Sequence, residues 1–184
     1  MKVKITIPDE ITIDQFQKID AISKSNLSGF EMDNEIIEVF TGIKNAGDIT
    51  QLDRIFLTDT IEKALLKEGE FKQRFVLNGI EFGMIPNFDK ITGSEYDDLI
   101  RYFGKDEFLH LFMAVGFRPI KLKDNFKNYQ IVNYSGTSEL SEIMKQTPIA
   151  IAKGFNVFFW SLSKTLEASI QKSMAEERAK EIAH

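Results

Sequence analysis

His110 is the interior histidine of this chain, and imidazole is the side chain that titrates nearest neutral pH. It lies among Leu109, Leu111 and Phe112, and no second histidine or cysteine stands at ligand spacing. A lone imidazole without a positioned partner suits a structural or edge role better than metal binding or acid–base work. Asp97-Asp98 and Glu176-Glu177 are adjacent carboxylates. Neighbours on a helix diverge by about 100°, so such pairs cannot converge on one ion or substrate. They read as solvated faces, and Asp14 and Asp97-Asp98 also fall in first turns, where negative charge suits the helix dipole. No glycine-rich phosphate cradle, HExxH, GxSxG or EF-hand pattern occurs. The segment Lys121–Tyr129 mixes bases with aromatics, as single-strand binders do, but it is short. The chain carries a net charge of −5 and a pI near 5.2, which argues against nucleic acid as a partner. The absence of cysteine excludes a disulfide framework and a thiolate zinc site. No catalytic, cofactor-binding or metal-binding residues are expected, and no small-molecule substrate. A small enzyme built from scattered carboxylates around His110 is the weakest of the readings.

The elements that would position such groups are organised by a phrase that occurs twice. Ile7-Pro8 is followed by Ile11-Thr12-Ile13-Asp14-Gln15-Phe16, and Ile85-Pro86 by Ile91-Thr92-Gly93-Ser94-Glu95-Tyr96. Thr followed three residues later by Gln or Glu is a capping box, so Thr12 with Gln15 and Thr92 with Glu95 should each start a helix. The isoleucine before each threonine is placed to staple onto Phe16 or Tyr96. The predicted fold is α+β and mostly helical. It has a small antiparallel sheet, two related helical halves and a long C-terminal helix. The 184 residues read as one domain, with halves at about 1–70 and 71–166 and a projecting polar helical tail at 167–184.

Lys2–Ile7 alternates as a strand that Pro8 ends, and it lacks the apolar run of a signal peptide. Phe71–Leu77 and Ile80–Ile85 flank Asn78-Gly79, the strongest short-range signal for a type I′ hairpin. The first strand is expected beside that hairpin. Helices are expected over Asp33–Phe40, from Thr50, over a separate piece capped at Asp59-Thr60, and over Asp106–Val115. The helix begun by Thr92 should bury Tyr96, Leu99, Ile100 and Phe103. Ile120–Gly136 is polar and reads as a long loop. Thr137 or Ser138 should cap a short helix through Met144.

Thr147-Pro148 should open the last helix. Its first half is apolar almost all round and too short and interrupted, by Lys153 and Asn156, to cross a bilayer. A soluble intracellular protein is expected. Phe155, Phe158, Phe159 and Trp160, with Ile170 and Met174 further along, are the candidate protein-binding residues.

In order along the chain, these features resemble a family of small tailed-bacteriophage proteins from the virion-structural gene block, described as tail-assembly-chaperone-like. The resemblance rests on Ile5–Pro8, Ile11–Phe16, Ile36–Ile43, Asn78-Gly79, Ile91–Tyr96, Leu109-His110 through Ala114-Val115 to Arg118-Pro119, and Phe155–Trp160. The chain departs from that pattern in its polar insert at 120–136 and its charged end. The resemblance implies a non-enzymatic protein that binds tail, portal or capsid components in the host cytoplasm during assembly. A constitutive virion component is the alternative, and self-association is compatible with either.

Overall fold

Thr12 and Thr92 both start helices. This is seen in a computed structural model that describes residues 10–44, 49–124 and 128–182, with side chains as far as residue 165. Thr12 accepts from the Gln15 N–H at 3.2 Å while its own N–H donates to Gln15 Oε1 at 3.0 Å, opening α1 (Ile13–Ser23). The same reciprocal pattern, Ser28 with Glu31, opens α2 (Gly29–Thr41), which is longer than the predicted Asp33–Phe40 and ends at Gly42 as expected. α3 (Gln51–Leu65) is one helix, capped by Thr50, rather than two pieces. Thr60 does not cap a new helix. Its hydroxyl donates to the Phe56 carbonyl at 2.7 Å, the back-bond a threonine makes inside a helix.

The hairpin is β1 (Arg74–Leu77) and β2 (Ile80–Met84), antiparallel, with Phe75 opposite Phe82. Asn78 and Gly79 sit at φ 51° and 77°, the pair of positive angles that a type I′ turn needs. The sheet continues through β3 (Phe117–Lys123) and β4 (Tyr129–Ile131) in the order β1-β2-β3-β4. The strand beside the hairpin is therefore β3; the predicted strand at Lys2–Ile7 lies outside the described residues. The expected loop at 120–136 is corrected, since its first part is the end of β3 and β4 pairs back onto it. Two features hid these strands. Pro119 has no N–H and supplies only its carbonyl, to Val132 N at 2.9 Å, and the register slips between Ile120 and Leu122.

The second half of the chain adds α4 (Gly93–Tyr102), α5 (Leu109–Gly116), α6 (Ser141–Met144) and α7 (Ile149–Ile182). α6 begins at Ser141, after a turn over the predicted cap positions, and Pro148 stands just ahead of α7. α5 runs into β3 without a loop. Leu109, Phe112, Met113, Ala114, Val115, Phe117 and Arg118 are all buried across that junction. α7 lies against it through Phe155, whose ring centroid is 4.7 Å from that of Phe112 and 5.0 Å from that of Phe117. Any side chain at Gly116 would occupy the space of the Phe155 ring. The start of α1 is stitched to the start of α7: Ile149 N donates to Ile11 O at 2.7 Å, and Ile13 N to Thr147 O at 2.9 Å. The result is the α+β, mostly helical fold expected. Among the described residues, no helix is long and apolar enough to cross a membrane.

α7 also crosses the chain at 69–71 with backbone nearly touching backbone. A Cβ at Gly154 would stand 2.6 Å from Phe71 N, and one at Gly69 would stand 2.7 Å from Gly154 N. Backbone at both sides cannot yield as a flexible side chain would. Gly154→Ala should therefore destabilise the protein by about 1–3 kcal/mol, the usual range of overpacking. Gly29→Ala, at the first residue of α2 with open space around it, should be neutral or stabilise by up to about 1 kcal/mol. Urea unfolding of the two variants measures the contrast; equal effects would refute it.

Candidate protein-binding groove

α4 presents two different faces. One carries Glu95 and Leu99 inward, and the other leaves Tyr96 and Ile100 at 51% and 47% exposure. The expectation that Tyr96 and Ile100 are core residues is thereby corrected. The place nearest the sheet is held instead by a charge. Glu95 Oε1 meets Arg118 Nη2 at 2.6 Å, and both side chains are almost fully buried. Glu95 Oε2 is at the same time the acceptor for the Thr92 N–H at 2.7 Å and for the Thr92 hydroxyl at 2.9 Å. Burial alone would raise the Glu95 pKa. The Thr92 donors and Arg118 more than reverse this and hold the carboxyl below its ordinary range.

Arg118 lies over the Tyr134 ring, 5.5 Å from guanidinium carbon to centroid, and Tyr134 Oη donates to Asp98 Oδ2 at 2.5 Å. Burial and the Asp98 carboxylate push the Tyr134 phenol upward, so it stays a donor. Arg118 Nε and Nη1 are buried without a hydrogen-bond partner, so its fork is only partly used. Glu95 and Asp98, one turn apart on α4, thus anchor the helix to β3 and to the segment after β4. The sequence carried one signal of this: an acid four residues before the buried Leu99, on the apolar stripe, needs a cation.

With its inner face pinned, α4 turns Tyr96 and Ile100 toward a groove of about 430 Å³. Phe88, in the 3-10 turn Phe88–Lys90, and Ile91 form one wall, and Phe159 and Leu162 of α7 another. Thr92, Asp89 and Ser163 supply a few polar atoms at the rim. An open, mostly apolar cleft of this size suits an apolar segment, held by burial and steered by a few polar groups.

The other predicted residues divide between core and surface. Phe155 and Phe159 are buried in the aromatic core, so they are not a free binding surface, although Phe159 reaches the groove from beneath. Phe158 is half-buried and stacks on Phe71 at 4.8 Å, and Trp160 is exposed. Ile170 and Met174 fall on the part of α7 whose side chains lie outside the described residues. His110 Nδ1 is 3.0 Å from Gln17 Nε2, tying α5 to α1. Burial first, and Lys145 second, lower its pKa. Among the described residues, no group of three or more His, Asp or Glu side chains could hold a metal. Compared with protein-family models, curated proteins and solved structures, the chain matches none.

The Glu95 site makes a pH-dependent prediction. Because the carboxyl's folded pKa lies below its unfolded value, its stabilisation is complete above the unfolded value and is lost as pH falls through the folded one. Glu95→Gln leaves Arg118 buried without its counter-charge and should cost about 3 kcal/mol at neutral pH. That deficit, read from urea unfolding of variant and wild type, should begin to shrink as pH falls below about 4.3, the ordinary glutamate value, and close only once pH has passed through the lowered folded pKa, where the native carboxyl is neutral too. A deficit that stays constant across pH would show that the charge contributes nothing.

Proposed function

We propose that this chain is a non-enzymatic, protein-binding component of bacteriophage virion assembly, tail-assembly-chaperone-like in role. In this reading it acts in the host cytoplasm and receives an apolar segment of a tail, portal or capsid component in the α4–α7 groove. The observation that carries the reading is the exposure of Tyr96 and Ile100 on a mostly apolar cleft that the core residue Phe159 also lines. A helix whose opposite face is pinned by a buried ion pair cannot rotate to hide them, so the apolar rim is held ready for a partner. The order of motifs along the chain supports the phage assignment. The few polar atoms around the groove favour burial of side chains over chemistry.

Co-expression with phage tail, portal and capsid proteins, followed by purification, tests the reading. One of them should co-purify, and Ile100→Glu should weaken that complex by at least about tenfold, as loss of a buried anchor does. The circular dichroism and unfolding midpoint of this variant should stay close to wild type. Failure of every such protein to bind, or unchanged binding by Ile100→Glu, would overturn it.

A further inference from the structure

α3 is apolar on two faces. Toward the body it buries Leu57 and Ile61, with Arg54 beside them. On the opposite face Leu52, Ile55, Phe56 and Leu66 remain exposed, Leu52 at 81%, Phe56 at 66% and Leu66 at 75%. At 3.6 residues per turn, Leu52, Ile55, Phe56, Asp59, Lys63 and Leu66 fall within an arc of about 100°. From start to finish this stripe reads apolar, acidic, basic, apolar. Asp59 and Lys63 are joined on it by a 2.7 Å ion pair. Phe30 of α2 is exposed beside the inner face of α3, under the Arg54 guanidinium at 4.6 Å.

We propose that this face is the two-fold interface of a homodimer, α3 packing antiparallel on α3 of a second copy. The pattern is its own complement only when reversed. With the axis crossing the helix near residue 61, Asp59 comes opposite Lys63 of the second copy, and Phe56 opposite Leu66. Each contact occurs twice, as an isologous interface requires. Sliding the axis by half a turn to residue 59 would bring Leu52 opposite Leu66, but would set Asp59 against Asp59, Phe56 against Glu62 and Lys63 against Ile55, so the charges fix the register. The four large apolar side chains, each roughly half to four-fifths exposed, present on the order of 500 Å² of apolar surface. A contiguous patch of that size is one that on a monomer is often functional. With the flanking polar stems it approaches the roughly 800 Å² per partner of a standard interface. The face lies on α3, apart from the α4–α7 groove, so dimer formation does not depend on the function proposed above.

Light scattering coupled to size exclusion, over a concentration series up to about 100 μM, tests the proposal. The wild-type mass should rise from 21.1 kDa to twice that value. Phe56→Asp, at a side chain outside the core, should stay at 21.1 kDa with an unchanged unfolding midpoint. Asp59→Lys and Lys63→Asp should each weaken the dimer by about tenfold, since each sets like charges against one another at two places. Mixed in equal amounts, the two variants should regain wild-type affinity, because every pair across the axis is then opposite in sign. A wild-type mass of 21.1 kDa at every concentration would overturn the proposal, whether or not another protein binds α3. So would a dimeric Phe56→Asp, or a mixture no tighter than its components.

Discussion

The rest of the structure depends on how closely α7 can approach the α5–β3 junction. Phe155 fills the space over Gly116, and its ring touches both the last turn of α5 and the first residue of β3. A buried aromatic there contributes about 2–3 kcal/mol by burial alone. Its larger role is geometric, because the helix and the strand take their relative angle from the surface that the ring presents. Phe159, one turn on, meets Phe103 at 5.1 Å and Phe112 at 5.4 Å and so extends the same contact to the end of α4. The backbone crossing at Gly69 and Gly154 fixes how deeply α7 can sit. Sheet, central helix and α4 are all placed from this one seam.

Within that frame the Arg118–Glu95 pair decides orientation. A buried ion pair is a poor source of net stability, because both charges lose water. It is an effective lock, because neither partner tolerates being left alone. Glu95 completes the cap of α4 with one oxygen and binds β3 with the other, so starting the helix and docking it are a single event. The apolar residues on the far side of α4 then have nowhere to go but the surface. The groove is the remainder of that arrangement rather than a separately built feature.

Local chemistry was the most legible part of the sequence. Thr12 and Thr92 start helices, and Asn78-Gly79 turns a hairpin, because caps and I′ turns are set by a few adjacent residues. Ser28 and Glu31 have the same spacing and mark the true start of α2. What adjacent residues could not reveal was tertiary choice. Glu95 takes the inward place that periodicity assigned to Tyr96 and Ile100, because Arg118 arrives from another element. The two strands after α5 were hidden by Pro119 and by a polar face typical of a sheet margin. Phe155 and Phe159 were correctly read as strongly apolar. Whether they serve a core or a partner depends on what covers them, and the covering residues, Phe112, Phe103 and Phe88, lie on other elements. Thr60 mimics a cap and so makes α3 read as two pieces in the sequence. The division hid the continuity of its outer stripe.

The hydrogen bonds joining Ile11 and Ile13 to Thr147 and Ile149 have a consequence for how the protein is made. The first described helix obtains its backbone partners from a segment that leaves the ribosome some 135 residues later. At ordinary elongation rates that is a delay on the order of ten seconds. Throughout that interval α1 can pack on α2, but the backbone groups of Ile11 and Ile13 lack these partners and must stay with water or with something else. Synthesis order and closure order are therefore opposed at this seam: Ile11 and Ile13 are made long before the residues that bond to them.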